Sequence, residues 1–385
     1  MPEDRFILPE PGATGPARPP LPPAFAVRAT TDDAEGRVSL PEAAVTQDIP
    51  RQVHHHSDAC VHVLDGVPET EHDGPAPTAT RLFVDHRELL FSVVYNMLGS
   101  VADTEDVLQE TWLSWSGRNS RAPLAEIGNP RAYLVRIAVN HALARQTAIA
   151  SRRETYVGPW LPEPLVTEAT TGLAPDTADH TVRNDSVSLA MLVVLETLTP
   201  LERAVFVLHE VFGYPHAEIA GMLDRSPAAV RQVAHRARAH VHARRPRYRA
   251  RPRVRREATE RFVAAALGGD LQALLEILAP DVTVWIDGGG ARQGAGLRPV
   301  HGREKAARML AGYASRRAGD LDVHYRTVNG DDAAVLFSGD SPYAVMVMDL
   351  TPDGDRVSGV YVVTNPAKLT RVRPDGEDAG QAPDQ

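Results

Sequence analysis

The sequence predicts a multidomain protein: two all-α helical domains followed by an α+β domain, behind a long N-terminal tail. Three observations carry this. Apolar residues recur at helical spacing from Thr80 to Tyr156 and again from 186 to 245. Beyond Glu257 the pattern changes to short strand-like runs, VTVWI, VHYRTV, AAVLF, YAVMVMDL and VSGVYVVT, set among helical stretches. A chain of 385 residues also exceeds one ordinary domain.

Residues 1–77 are rich in Pro, Ala, Asp and Glu, with little periodic apolar pattern. Such a segment cannot bury enough surface to offset chain entropy, so a disordered tail is expected. His54, His55, His56, Asp58, Cys60 and His62 carry metal-ligating groups, but their spacing fits no familiar site, and no metal is expected.

The first helical domain is expected over 78–157. In RLFVDHRELLFSVVYNMLGS the apolar positions Leu82, Phe83, Leu89, Leu90, Val93, Val94, Met97 and Leu98 follow a 3.6-residue repeat that Gly99 ends. VADTEDVLQETWLSWSGRN sets Val107, Leu108, Thr111, Trp112 and Trp115 on one face and Asp103, Glu105, Asp106 and Glu110 on the other. Asn129-Pro130 opens a third helix, with proline at its first position. Its polar side holds Arg131, Arg136, Asn140, Arg145, Arg152 and Arg153.

Residues 158–185 read as a linker, but Trp160-Leu161-Pro162-Glu163-Pro164 is too stiff and too apolar for a passive tether. The second helical domain, 186–248, contains Thr199-Pro200-Leu201-Glu202, an N-cap with proline and an acid in the first turn. Then comes HAEIAGMLDRSPAAVRQVAHRARAHV. On a helical wheel Val230, Val233, Ala234, Ala237 and Val241 form one side, matched by Ile219, Ala220 and Leu223 of the preceding helix. Two short helices joined at Asp224-Arg225-Ser226 describe a helix-turn-helix. Such a unit places the start of its second helix in the major groove. Arg231 and Gln232 stand in the first turns, where Arg reads guanine and Gln reads adenine. His235, Arg236 and Arg238 suit phosphates, and Ser226 suits a helix cap beside one.

Charge supports a polyanionic partner. Net charge is −9, yet Arg225–Arg256 holds twelve Arg and no Asp or Glu, leaving about −21 for the rest. A single cysteine excludes an intrachain disulfide. No apolar run reaches the about 18 to 20 residues that cross a bilayer, and the N-terminus lacks a signal layout, so a cytoplasmic protein without membrane contact is expected.

DTEDVLQETWLSWS (103–116), NPRAYLVRIAVNHALARQ (129–146) and TPLERAVFVLHEVFGYPHAEIAGMLDRSPAAVRQVAHRARAHV (199–241) together resemble bacterial extracytoplasmic-function sigma factors, in order and spacing. The resemblance implies that 78–157 is sigma region 2 and 186–248 sigma region 4. Core RNA polymerase, through its β′ clamp helices and β flap, and promoter DNA are the implied partners. Asp103, Glu105, Asp106, Gln109, Glu110 and Trp112 match the polymerase-docking surface. Arg131, Tyr133, Arg136, Asn140 and Arg145 match the zone that holds the −10 element as single strand. Ser226, Arg231, Gln232, His235, Arg236 and Arg238 fall where the −35 duplex is read.

After a basic linker (249–257), residues 258–372 resemble the SnoaL-like extension of one sigma subgroup, an α+β cone, and 373–385 read as a polar tail. Trp160, Pro162, Asp287, Gly288, Gly289, Gly290, Asn365 and Lys368 match the motifs through which that extension is thought to adjust sigma activity, in place of a separate anti-sigma protein. Relatives commonly have Lys after the three glycines, where this chain has Ala291 and Arg292. Trp285, Asp287, His301, Tyr325, Tyr343 and Tyr361 are candidates to line a pocket in the cone. A turn role for Asp287 and a capping role for His301 compete with catalysis, so no catalytic residue and no cofactor is assigned. A small ligand there stays open. The expected function is promoter-directed transcription initiation by a non-enzymatic sigma factor. The alternatives are a helix-turn-helix regulator acting without polymerase, or a SnoaL-like enzyme or ligand sensor fused to a helical adaptor.

Overall fold

The computed structural model describes residues 78–119, 127–154, 156–167, 187–244, 251–290, 298–314 and 321–374. The readings of the 1–77 tail with its histidines and Cys60, of linker residues 168–186, of Ala291 and Arg292, and of most of the C-terminal tail lie outside them.

Among the described residues the first helices are α1 (Thr78–Leu98), α2 (Val101–Asn119) and α3 (Pro130–Glu154). Gly99, at φ +68°, ends α1 by donating its N–H to the Tyr95 carbonyl at 2.7 Å. Leu90, Val93, Val94, Met97 and Leu98 are buried, as the helical repeat requires. Trp115 is fully buried, and its indole N–H is satisfied by the Ala79 carbonyl at 2.8 Å. Asn129 caps α3 through the Ala132 N–H at 3.0 Å.

The second helical group comprises α4 (Leu189–Leu195), α5 (Pro200–Phe206) continued by a π-turn (Val207–Val211), α6 (His216–Met222) and α7 (Pro227–Arg244). Thr199 and Glu202 form a reciprocal capping box at α5. The helix-turn-helix forms as the sequence predicts. Asp224 takes the left-handed φ of +52° in the turn, a conformation short polar residues tolerate. Ser226 Oγ caps α7 by accepting from Ala229 N at 3.2 Å. Val230, Val233, Ala234, Ala237 and Val241 are all buried. Each large apolar side chain so buried contributes about 1.5–3 kcal/mol.

The two helical groups were expected as separate domains, but one continuous apolar core runs through both, from Phe83 to Val241. The α3 helix packs on α5 and α6. Apolar periodicity marks which face of a helix is buried and does not specify the covering element.

The α+β part begins earlier than predicted. The basic stretch 249–257 was read as linker, but α8 (Pro252–Gly268) starts inside it, started by Pro252 and braced by Arg253–Glu257 at 2.8 Å and Arg256–Glu260 at 3.0 Å. Gly269, at φ +69°, splits the expected single helix, and α9 (Leu271–Ile277) follows. Strands β2 (Leu278–Asp287), β3 (Val300–His301), β4 (Asp322–Val328), β5 (Asp331–Ser338), β6 (Ser341–Leu350) and β7 (Val357–Val363) form a mixed sheet, with α10 (Arg303–Ala314) beside it. A two-residue strand from the linker, β1 (Val166–Thr167), completes the order β1-β4-β5-β6-β7-β2-β3; β2 runs parallel to β7 and every other pairing is antiparallel.

Both faces of the sheet are apolar. Ala334, Leu336, Met346, Met348, Val360 and Val362 face α8–α10. Val335, Phe337, Val345, Val347, Tyr361 and Val363 face the other way, onto Leu161 of the linker and Leu189 and Ala190 of α4. The helical part and the sheet therefore share a second core.

Candidate functional site: the helix-turn-helix, the acidic helix and the interdomain joint

On α7, Arg231, Gln232 and His235 are exposed on the side away from the core. Arg236 and Arg238 lie on the same helix but are engaged within the domain, Arg236 with Glu202 at 3.4 Å and Arg238 with Glu210 at 2.6 Å. Those acids neutralise part of the charge of the two guanidiniums. His216, at the start of α6, sits 4.0 Å ring to ring from His209. Desolvation, then the nearby His209, Arg238 and Arg231 charges, hold it below the usual imidazole value.

The α3 residues matched to single-strand binding do not share one open surface. Arg131 and Arg136 are exposed, and the Arg131 guanidinium lies 5.8 Å over the Tyr214 ring of the second helical group. Tyr133 is half-buried, tilted against Trp115 and covered by Arg118 at 4.9 Å. Asn140 donates to the Met222 carbonyl at the end of α6, at 3.4 Å. The helix-turn-helix thus closes over part of α3.

Arg145 is engaged within the first helical group. The family resemblance implies a place for it in the −10 zone. In the structure it turns to α2 instead, bonding Asp103 at 3.1 Å and Asp106, with Glu110 at 3.6 Å. Desolvation is outweighed by the hydrogen bond that Arg145 donates to Asp103 and by the surrounding carboxylates, which raise its pKa further. The acidic face of α2 is otherwise as predicted: Asp106 and Gln109 are exposed, Glu105 pairs with Arg87 at 2.7 Å, and Trp112 is half-buried against Phe83 at 5.2 Å. Leu113, 61 % exposed beside them, was not singled out by the sequence.

The joint between linker and sheet is built on one buried carboxylate. Asp287, fully buried at the end of β2, accepts from Leu161 N at 2.8 Å, Lys368 Nζ at 2.7 Å, Tyr156 Oη at 2.5 Å and Gly289 N at 3.2 Å. Lys368 also donates to the Leu161 carbonyl at 2.5 Å and lies 4.1 Å over the Trp160 ring. Asn365 Nδ2 donates to Tyr156 Oη at 2.7 Å. Burial, then the Asp287 carboxylate, raise the Tyr156 phenol, so it stays protonated as a donor. Glycine is needed here on two counts. A Cβ on Gly289 (φ +58°) would meet Asn365 Nδ2 at 2.4 Å, and one on Gly290 (φ +74°) would meet Val157 at 3.2 Å. Pro162 is buried, and a Cβ on Gly99 would meet it at 3.4 Å and Trp160 at 3.0 Å.

A second node, missed by the sequence, ties all segments together at Tyr95. Its hydroxyl donates to the Glu163 carbonyl at 2.5 Å and accepts from Asn329 Nδ2 at 2.9 Å. Asn329 holds Leu165 through both its backbone N–H (2.9 Å) and its side-chain oxygen (3.1 Å). Glu163 accepts from Val101 N at 2.8 Å, and burial raises its carboxyl pKa. Arg203, from α5, donates to the Asn96 carbonyl at 3.0 Å and pairs with Glu196; burial lowers its guanidinium to about 9, still charged at neutral pH. The only signal for this node was the Asn329-Gly330 dipeptide, a hairpin turn that would otherwise be assigned to solvent.

The expected pocket lining is also corrected. Trp285 and Tyr361 stack at 4.8 Å on the linker side of the sheet, and Asp287 belongs to the joint. His301 is exposed and bonded to Thr283 at 3.1 Å, and Tyr343 pairs with Tyr313 at 3.0 Å. Of the six candidates, Tyr325 lines a cleft between α8 and the β4–β5 edge, together with Arg256, Thr259 and Asp332.

The description "Sigma-70 region 2" matches residues 82–151, "Sigma-70, region 4" matches 188–241 and "SnoaL-like domain" matches 259–371. The ECF RNA polymerase sigma factor SigJ of Mycobacterium tuberculosis is 38 % identical over 294 residues, covering 74 % of this chain and 91 % of that protein. The chain belongs to the extracytoplasmic-function sigma factors. The probable ECF RNA polymerase sigma factor SigI of the same species is 30 % identical over 79 % of this chain and 98 % of its own length. The crystal structure of SigJ superposes with a TM-score of 0.58 at 33 % identity, over 76 % of this chain and 98 % of that one. Sigma regions 2 and 4 together make promoter-directed transcription initiation the function of this sigma factor. Among the described residues, no helix is long and apolar enough to cross a membrane.

Proposed function

We propose that this sigma factor rests in the closed arrangement described above and that core RNA polymerase converts it to an open one. The carrying observation is the Asn140–Met222 contact with its surroundings, which places the helix-turn-helix over α3 while the sheet clamps the linker. Polymerase would favour the open form by engaging both helical groups at once. The acidic α2 face, Asp103, Glu105, Asp106, Gln109, Glu110 and Trp112, docks on the β′ clamp helices. Arg131, Tyr133, Arg136 and Asn140 take the −10 strand once uncovered. Ser226, Arg231, Gln232, His235, Arg236 and Arg238 read the −35 duplex, with region 4 on the β flap. Arg145 is reassigned to ordering the acidic face.

The SnoaL-like part, 258–372 together with the start of α8, restrains opening through Trp160, Pro162, Asp287, Gly288, Gly289, Gly290, Asn365 and Lys368. It performs no catalysis and makes a separate anti-sigma protein unnecessary. Such a protein works where polymerase is, in the cytoplasm. Run-off transcription with purified core and the full chain tests this. The wild-type protein should support promoter-specific transcripts, and Asp287→Asn should reach half-maximal activity at lower sigma concentration. An unchanged titration with the joint demonstrably loosened would refute the restraint. Operator binding of the free chain as tight as that of the holoenzyme would favour a regulator acting without polymerase.

A further inference from the structure

We propose that the α+β domain carries a binding site for a small carboxylic acid bearing a neighbouring ammonium or hydroxyl group, in the cleft between α8, the β4–β5 edge and the linker strand β1. The cleft has a volume of about 120 Å³, enough for several waters or an organic acid of a few heavy atoms. Register explains its floor. Thr167 lies opposite Thr327 and Thr327 opposite Asp332, so the three side chains share one face of the sheet, with Tyr325 two residues before Thr327 on that same face. This is the face that packs on the helices, and Arg256 and Thr259 of α8 form the roof.

The polar groups are complementary to such a ligand. Arg256 gives its Nε to Glu260 at 3.0 Å, and its two terminal nitrogens have no hydrogen-bond partner among the described residues. Asp332 and the Tyr325 hydroxyl have none among them either, and burial raises the pKa of both. The adjacent Asp331 is already committed to Arg255 and does not compete. Thr259 donates to the Arg255 carbonyl at 2.9 Å and keeps its lone pairs for a ligand. A guanidinium and a carboxylate facing one cleft fit a molecule with an acceptor and a donor at its two ends: the carboxylate on Arg256, the ammonium or hydroxyl on Asp332.

One wall, Thr167, belongs to the linker between the two sigma regions. When β1 leaves the sheet that wall is lost, so the ligand binds the docked linker more tightly and holds it there. This consequence rests on the closed-to-open reading above; the binding itself does not, and is measured without polymerase.

The test is calorimetric titration of the full chain with glycine and L-serine, with glycolate and L-lactate, and with acetate as the carboxylate-only control. Saturable binding of the amino acids or of the hydroxy acids is expected, stronger than that of acetate. It should weaken at least tenfold in both Arg256→Ala and Asp332→Ala and several-fold in Thr167→Val. Amino-acid binding alone identifies an ammonium partner for Asp332, and hydroxy-acid binding alone a hydroxyl. No binding by any of the four, acetate binding as tightly as they do, or binding indifferent to both charge removals would overturn the proposal.

Discussion

Replacing Asp287 by Asn should release the linker without unfolding the helical core. The carboxylate accepts four hydrogen bonds, two on each oxygen: Tyr156 Oη and Gly289 N on Oδ1, Leu161 N and Lys368 Nζ on Oδ2. Asparagine keeps one acceptor oxygen and turns an NH2 toward one of these donor pairs, so two bonds are lost. It also leaves the Lys368 ammonium, 12 % exposed, without its counter-charge. Removing one partner of a buried ion pair costs about 3–5 kcal/mol. Lys368 retains the Leu161 carbonyl and the Trp160 face, which places the cost near the lower end. About 3 kcal/mol corresponds to roughly a hundredfold shift in the docking equilibrium. Hydrogen exchange reads it directly. The amides of Leu161, Glu163 and Leu165 are bonded to Asp287, the Gly99 carbonyl and Asn329, and should exchange on the order of a hundredfold faster once undocked. Amides inside α1 and α7 should hold their rates. Unchanged protection at those three positions, or equal loss everywhere, would refute the reasoning.

Asn329→Ala removes the side-chain bonds to Tyr95 and Leu165, keeps the backbone bond to the Leu165 carbonyl and sets alanine at φ +49°; a loss of about 1–3 kcal/mol in thermal unfolding is expected, with Asn329→Gly milder because glycine adopts that φ freely. Arg145→Ala uncovers Asp103, Asp106 and Glu110, so core polymerase should bind at least as tightly at low salt by anisotropy, with −10 opening unchanged; a selective opening defect would return Arg145 to the DNA. Docking raises the Glu163 pKa, so the docked linker holds that proton more firmly than the free one. Docking should therefore strengthen as pH falls from the raised value toward 4.5 and weaken as pH climbs back through it, and Glu163→Gln should flatten this slope in exchange rates corrected for intrinsic pH dependence. Arg231→Ala should cost holoenzyme about 1–3 kcal/mol on its −35 sequence and relax preference there, measured against point-substituted promoters.

The elements were legible because their signals are local. Pro227 and Ser226 start α7, the Val230–Val241 repeat fixes its buried face, and YAVMVMDL, apolar at successive positions, announces a strand covered on both sides. The partners were not legible, because a helical wheel gives direction without distance. Arg145 and Asn140 share the polar side of α3, yet one turns to α2 and the other to α6. Tyr95 and Asn329 meet across 234 positions, and a two-residue strand such as β1 leaves no periodic trace. The joint was half-legible: Trp160 and the prolines marked a linker that must bury something, and Asp287 with three glycines marked an unusual turn. Tyr156 and Glu163, which complete the contacts, carry no such signature.

The sheet's outer surface has a consequence for any attempt to dissect this chain. Val335, Phe337, Val345, Val347 and Val363 are kept dry by Leu161 and by Leu189 and Ala190 of α4. Parting the two halves wets both sides of that seam, whether by a deletion or by polymerase. A chain cut near 250 would carry a sticky helix, and the severed tail a sticky sheet, so defects in either fragment would report solubility before regulation. Within the cell the same arithmetic makes a fully parted form short-lived unless another greasy surface takes over the vacated strands.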